Sequence, residues 1–339
     1  MQEKKLRIGI LGAGRIGKVH AESLAFRLPR ATPVVIADVR QESAREVAAL
    51  CNIPQTTSRS EEVLADPEVD AVVICTPTNS HAELIIQAAR AGKHIFCEKP
   101  IDLNLERIDS ALREVADAGV KFQVGFNRRF DANYARARKA VRDGEVGTPQ
   151  LLHIISRDPA PPPISYIRGS GGIFLDMTIH DFDMARFLMG DEVEEIFTGA
   201  GVMVDEEIGK AGDVDTALVM LRFTKGAIGV IDNSRKAVYG YDQRVEILGS
   251  GGAISTDNCY PNQAVLRTDK SVWRELPLHF VMDRYTESFI HEMRAFVDAV
   301  LDNTAVPVTG FDGRVPIVMG LAARKSFDEH RPVRLEEFS

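Results

Sequence analysis

Residues 8–17 read Ile8-Gly9-Ile10-Leu11-Gly12-Ala13-Gly14-Arg15-Ile16-Gly17. An apolar run, a glycine-rich turn and a helical pattern follow one another, the order of a buried strand, a tight turn and a first helical turn. Gly12 permits the turn and Gly14 lets the backbone approach a pyrophosphate. Gly17 lets the helix pack on the strand, its amide end facing the anion. A second strand, Pro33-Val34-Val35-Ile36-Ala37, ends at Asp38. That acid lies 21 residues past Gly17 (38 − 17), close to the spacing of a carboxylate that accepts hydrogen bonds from an adenosine ribose. Three glycines alone would also suit an α/β turn that binds nothing. The flanking strand, helix and acid point instead to a dinucleotide site, with Gly12, Ala13, Gly14, Arg15, Ile16, Asp38, Val39 and Arg40 as its first candidates. The charge of Asp38 favours NAD, since it repels the extra phosphate of NADP; Arg40 softens that preference.

The rest of the composition narrows the class. At 339 residues the chain can bury two cores. Its net charge is −8 with no block of like charge, which argues against a nucleic-acid partner, because phosphate neutralisation needs a clustered basic surface. Met1-Gln2-Glu3-Lys4-Lys5 leads straight into the first strand, leaving no room for a signal peptide, and no apolar run reaches membrane-spanning length. The four cysteines, Cys51, Cys75, Cys97 and Cys259, have no paired spacing; Cys75 and Cys97 read as inert core thiols. A reduced, cytoplasmic protein with no membrane association is expected.

Through the first third, strands and helices alternate. Helices are expected over about 42–50, 60–64 and 105–118, with one capped by Ser80 and stopped by Gly92. Asp70-Ala71-Val72-Val73-Ile74-Cys75 and His94-Ile95-Phe96-Cys97 are continuous apolar runs of the kind a strand shows when both its faces are covered. This alternation predicts a doubly wound parallel sheet with ligands at its carboxyl ends, where Gly12, Asp38, Thr76, Glu98, Lys99 and Asn127 fall. After a helix at 131–142 the pattern changes. Strand-like runs at 151–156, 193–204, 216–223, 227–233 and 244–248 are mostly closely spaced, which favours antiparallel pairing. Helices at 286–301 and 315–329 close the chain, and the Pro159–Pro163 run is a stiff loop. The expected architecture is α/β: a parallel-sheet domain over residues 1–126, then an α+β domain over 127–339 with a large, mostly antiparallel open sheet.

Two further places carry chemistry. Gly169-Ser170-Gly171-Gly172 precedes an apolar-rich helix on which Asp176 and His180, four apart, share one face. Alone, the pair reads as a satisfied Asp–His contact or a polar stripe; beside a nucleotide site, His180 can serve as the base that alcohol oxidation requires. Zinc is open to the same pair, though no third ligand follows at standard spacing, and no metal is expected. Lys99, at the end of a buried strand and before Pro100, could hydrogen-bond a substrate hydroxyl or simply be solvated. Asn127-Arg128-Arg129 has the same ambiguity.

Taken together, Gly12–Gly17, Cys75-Thr76-Pro77-Thr78-Asn79-Ser80-His81, Phe96-Cys97-Glu98-Lys99-Pro100, Gln123–Phe130 and Asp176-Met177-Thr178-Ile179-His180-Asp181 resemble the Gfo/Idh/MocA oxidoreductases, in the family's order and over essentially the whole chain. Within that family the resemblance is to inositol 2-dehydrogenases. It implies a Rossmann-type first domain, NAD as cofactor and a catalytic set of Lys99, Asp176 and His180. In that set His180 takes the hydroxyl proton, Lys99 holds the reacting oxygen and Asp176 orients the lysine or the substrate. It implies cofactor contacts at Thr76, Pro77, His81, Glu98, Lys99 and Arg128. It places Asn127, Arg128, Asp158, Tyr239 and Tyr241 around a polyol, with Lys99, Asp176 and His180. The implied reaction is oxidation of a secondary ring hydroxyl of a cyclic polyol, with myo-inositol going to scyllo-inosose first. Scyllo-inositol or an aldose, an NAD-assisted glycosidase, and a nucleotide-sensing regulator are the alternatives, the last disfavoured by the presence of both Lys99 and His180. The resemblance also implies a homo-oligomer, dimer or tetramer, joined through the open sheet.

Overall fold

The computed structural model describes residues 5–338; Met1–Lys4, on which the expectation about a signal peptide falls, lie outside the described residues. The chain forms two compact units, Met1–Phe130 with Glu287–Val315, and Asp131–Thr286 with Pro316–Ser339.

The first unit is built on strands β1 (Leu6–Leu11), β2 (Ala31–Ala37), β3 (Gln55–Thr57), β4 (Ala71–Ile74), β5 (His94–Glu98) and β6 (Phe122–Gly125), all parallel in the order β3-β2-β1-β4-β5-β6. The connecting helices are α1 (Arg15–Phe26), α2 (Gln41–Cys51), α3 (Ser60–Ala65), α4 (His81–Arg90) and α5 (Leu105–Ala118). Every residue of β4 is buried, as a strand covered on both faces requires. The order reverses between β1 and β4, the switch point at which such sheets open a crevice for ligands. Ser80 stands at the start of α4 but does not cap it: its hydroxyl donates to Pro77 O (2.7 Å) and bonds Thr76 Oγ1 (2.7 Å).

The second unit begins with Asp131, whose side chain accepts the amides of Asn133 (3.0 Å) and Tyr134 (3.2 Å) and so starts α6 (Ala132–Arg142). Strand β7 (Pro149–Arg157) leads to α7 (Ile164–Ser170), α8 (Gly172–Asp176) and α9 (Thr178–Met189). Then come β8 (Val193–Gly201), α10 (Glu206–Lys210), β9 (Thr216–Phe223), β10 (Ile228–Ser234), β11 (Asp242–Gly249) and β12 (Gly252–Thr256). A two-stranded ribbon, β13 (Leu266–Arg267) with β14 (Val272–Trp273), precedes α11 (Val281–Leu301), α12 (Gly310–Glu329) and β15 (Val333–Arg334). The sheet runs β12-β11-β7-β10-β9-β8-β15, antiparallel throughout except for the β7–β10 pair.

Further expectations also differ from the structure. The compact units divide after Phe130 rather than at 126, and Glu287–Val315 belongs to the first unit instead of the second. The reason is packing: Ile290, Met293, Phe296 and Val297 of α11 complete the core of Ile8, Ile10, Val73 and Phe96, a role that contiguous sequence cannot reveal. Asp176 and His180 do not share one continuous helix. Asp176 ends α8 and His180 lies in the first turn of α9; at Met177 the ladder tightens, His180 N–H bonding back to Met177 O (3.3 Å). The strand expected to run to Val204 ends at Gly201, because Asp215 draws the amides of Met203, Val204 and Asp205 (2.7, 2.8 and 3.0 Å) out of the ladder.

Candidate active site

In the first unit the three glycines have three different causes. A Cβ on Gly12, whose φ is +101°, would lie 2.6 Å from Cys75 O; one on Gly17 would lie 2.0 Å from Gly12 O. A Cβ on Gly14 would meet nothing within 4 Å. Gly12 and Gly17 are therefore demanded by the protein itself, whereas Gly14 opens onto free space at the amino end of α1. Asp38 is anchored beside them: its carboxylate accepts Ala13 N–H (2.8 Å) and Arg40 N–H (2.8 Å). A cleft of about 280 Å³ runs between Gly14, Arg15, Lys18, Arg40, Ser43 and Glu46, and Val39 is almost wholly exposed next to it. Backbone amides at a helix start, open space over a glycine and a loop carboxylate fit a dinucleotide.

At the carboxyl ends of β4 and β5, His81 is 2% exposed and its ring bridges Thr76 O (2.7 Å) and Pro100 O (2.8 Å). That bridge ties the loop holding Thr76 and Pro77 to the turn that carries Lys99, which is half-buried. Glu98 Oε1 is 2.7 Å from His20 Nε2, and Gly125 leaves room for the carboxylate, since a Cβ there would stand 3.1 Å from it. Glu292 of α11 completes a buried cluster: one ligand atom from each of His20, Glu98 and Glu292 lies within 4.8 Å of the others, the one group among the described residues spaced to hold a metal ion. Burial first, then the charge of Glu98, pushes the Glu292 carboxyl well above the usual carboxylate range. Burial, then Glu98, likewise pushes the Cys75 and Cys97 thiols up, which keeps both unreactive. All four cysteines are free. Asn127 and Arg128 are buried in the turn that follows β6.

The second unit gathers its polar groups around α8 and α9. Asp176 accepts the Tyr166 hydroxyl (2.9 Å) and Arg235 Nη1 (3.3 Å), and Arg235 also lies 3.9 Å from Asp158. Thr178 and Asp181 of α9 are held by the buried Asn233 of β10 (2.6 and 2.9 Å), which fixes the helix turn that carries His180. Successive residues of a strand face opposite sides, so Asp232 points away from Asn233. Asp232 pairs with Arg157, which also donates to Tyr239 Oη (3.1 Å). Tyr239 in turn donates to Asp242 (2.5 Å), and its hydroxyl is pushed up by burial and by that bond. The structure thus brings Asp158 and Asp176 together through Arg235 and holds the Tyr239 hydroxyl on the other sheet face. Tyr241 is buried edge-on against Tyr285, ring centroids 6.1 Å apart.

Residues 6–126 match the model of an oxidoreductase family with an NAD-binding Rossmann fold, and residues 134–255 match the GFO/IDH/MocA C-terminal domain. The chain belongs to the Gfo/Idh/MocA oxidoreductase family. It is 50% identical over 332 residues to the myo-inositol 2-dehydrogenase of Thermotoga maritima, covering 98% of this chain and 99% of that protein. It is 46% identical to the inositol 2-dehydrogenase of Rhizobium meliloti, covering 97% and 99%. Among solved structures, the scyllo-inositol dehydrogenase of Lactobacillus casei with bound NAD(H) and scyllo-inositol superposes with a TM-score of 0.92 at 29% identity, covering 98% of this chain and 100% of that one. As a member of this family the chain is an NAD-dependent oxidoreductase. His20, Glu292 and Arg235 escape a sequence reading.

Proposed function

We propose that this protein oxidises a secondary ring hydroxyl of a cyclic polyol, myo-inositol to scyllo-inosose before other substrates. Support comes from near-full-length identity of 46–50% to two inositol 2-dehydrogenases in a chain that carries Lys99, Asp176 and His180 together. NAD, when bound, accepts the substrate hydrogen as hydride at its nicotinamide ring. Gly12, Ala13, Gly14, Arg15 and Ile16 hold its pyrophosphate and Asp38 its adenosine ribose, with Val39 and Arg40 beside it; Thr76, Pro77, His81, Glu98, Lys99 and Arg128 serve the nicotinamide half. His180 takes the hydroxyl proton, Lys99 hydrogen-bonds the oxygen as it gains charge, and Asp176 orients the reacting hydroxyl. Asn127, Arg128, Asp158 and Tyr241 are assigned to the remaining hydroxyls; the Tyr239 hydroxyl, bonded to Asp242 and Arg157 on the other sheet face, is left out of the set. Scyllo-inositol is the second reading, favoured by the likeness to the L. casei enzyme.

A homo-oligomer, dimer or tetramer, is part of this proposal. Leu151, Phe197, Leu218, Met220 and Ile228 alternate with core residues along the sheet of the second unit and line an apolar groove of about 630 Å³. Such a face calls for a second copy of the chain. The enzyme is placed in the cytoplasm, in keeping with four free cysteines. No described helix is long and apolar enough to cross a membrane.

NADH absorbance with NAD against the inositol isomers and common sugars tests the reading: myo-inositol should give the highest kcat/KM, and no NADH with any inositol isomer overturns it. Light scattering after gel filtration should give two or four chains, and a monomer refutes the assembly.

A further inference from the structure

Arg235, just past β10, is 2% exposed. A buried guanidinium is costly unless its donors are met, and the usual solution is a two-bond fork onto one carboxylate. Arg235 does otherwise. Its Nη1 lies 3.3 Å from Asp176 Oδ2 and 3.9 Å from Asp158 Oδ2, and its Nη2 lies 4.0 Å from Asp213 Oδ2. Among the described residues its Nε and Nη2 have no hydrogen-bond partner. One cation is spread over three acids, with two donors unspent. As a device for stability this is poor, since unspent buried donors cost more than the loose pairs return.

The surroundings nevertheless hold the side chain in place. Arg235 N–H donates to Asp215 O (2.8 Å). Asp158 N–H donates to Ser234 O (2.9 Å) and Ala237 N–H to Asp158 O (2.6 Å), so the chain before and after Arg235 is stitched to Asp158. Asp213 accepts the Ile173 amide with both oxygens (3.1 and 3.0 Å) at the start of α8, the helix that ends on Asp176. Gly172 is required for this approach, because a Cβ there would lie 2.6 Å from Asp213 Oδ1. Asp176 is therefore fixed through its backbone by α8 and Asp213, and through its carboxylate by Arg235 and Tyr166.

We propose that Arg235 is a positioning residue for polyol oxidation: it fixes the Asp176 carboxylate in one orientation and sets a positive charge beside it. The inference rests on the assignment of Asp176 made above. A lysine cannot do the same, since a point charge on a flexible stem cannot reach Asp176, Asp158 and Asp213 at once.

The test uses the full-length enzyme with Arg235→Met, Arg235→Lys and Arg235→Ala. Arg235→Met should lower kcat for the polyol roughly 10- to 100-fold, as loss of a hydrogen bond to a charged group does, while the NADH dissociation constant stays within about twofold. Guanidinium ion at tens of millimolar should restore at least about fivefold of the lost rate to Arg235→Ala, and tetramethylammonium should not. A crystal structure of Arg235→Met should show the Asp176 carboxylate rotated away from its present place. Should Arg235→Met fail to fold, Arg235→Lys decides, with a lowered kcat at near-normal melting temperature expected. The proposal is overturned by an Asp176 that has not moved, by kcat within about threefold of the parent, or by a rate loss that guanidinium leaves untouched. If the parent enzyme oxidises no polyol, the functional reading fails instead, and the crystal structure still decides whether Arg235 places Asp176.

Discussion

Gly14→Ala and Gly17→Ala are the same chemical change three residues apart, and the structure gives them opposite consequences. At Gly14 the backbone is φ −70°, ψ −171°, which any residue adopts, and the added methyl meets nothing within 4 Å. Gly14 is the N-cap of α1 without a side-chain cap bond, so alanine there costs about 0.5–1 kcal/mol of capping preference. The loss of unfolded-chain entropy returns about 0.4–1 kcal/mol, leaving stability changed by less than about 0.5 kcal/mol. At Gly17 the methyl would sit 2.0 Å from Gly12 O, a backbone atom that cannot rotate aside. Moving α1 away from β1 to relieve this should cost at least about 2 kcal/mol. At about 2–4 °C per kcal/mol for a unit of this size, Gly17→Ala should lower the melting temperature by roughly 4–8 °C and Gly14→Ala by under about 2 °C. Affinity should follow the reverse order relative to stability. With the fold intact, Gly14→Ala should still raise the NADH dissociation constant at least about tenfold, because its methyl occupies the space over the amide end of α1. Calorimetry and NADH fluorescence titration read the two quantities separately. A Gly14→Ala protein that binds NADH within about twofold of the parent would refute the assignment of that space to the cofactor.

Other expectations follow from individual side chains. Asp38→Ser should reduce the preference for NAD over NADP in kcat/KM by at least about tenfold, since Arg15, Lys18, Arg40 and Ser43 already line the adjoining cleft; an unchanged ratio removes Asp38 from the ribose. His180→Ala and Lys99→Ala should each lower kcat roughly 10²- to 10⁴-fold while NADH affinity stays within about threefold, and near-normal turnover in either dismisses that residue from the chemistry. Glu292→Gln should change the pH dependence of stability. Because the folded protein holds this carboxyl above its ordinary 4.5, it keeps a proton that the unfolded chain has released, and its contribution is lost as pH rises above that value, by up to about 1.4 kcal/mol per unit. The glutamine variant lacks this loss, so its melting temperature should gain on the parent from pH 5 upward. A constant difference between pH 5 and 9 would show that Glu292 is not held neutral.

The first unit was readable because its information is local. β1, β4 and β5 are apolar runs, and the turn after β1 carries its glycines within six residues. Even the missed start of α12 left a local trace. From sequence that helix is expected to begin at Val315. The helix in fact begins at Gly310, where Thr309 and Asp312 cap it reciprocally: Thr309 N–H donates to Asp312 Oδ2 (2.9 Å) and Asp312 N–H to Thr309 Oγ1 (3.3 Å). The return of α11 to the first unit is another matter. Its apolar face is visible in sequence, but an amphipathic stripe does not say which of two cores it covers.

The site divides along the same line. Gly12, Gly14, Gly17 and Asp38 announce themselves because three glycines and the acid fall within one βαβ unit. The buried ionisable groups do not. Arg235 meets Asp176 across 59 positions, and His20 meets Glu98 across 78. Glu292 joins the latter pair from a helix that follows all but the last strand of the second sheet. Nothing near Glu292 in sequence distinguishes it from a solvated glutamate on an amphipathic helix, because its neutrality is imposed by residues it meets only after folding. The same holds for Met177, whose helical dihedrals (φ −93°, ψ −60°) hide the break that places Asp176 and His180 on separate helices. Such groups are where burial costs most and where the fold gains least stability, so their presence argues for a task that hydrophobic residues could not perform. On that argument Arg235 beside Asp176, and Glu292 beside His20 and Glu98, are the buried groups whose substitution tells most about the chemistry of this chain.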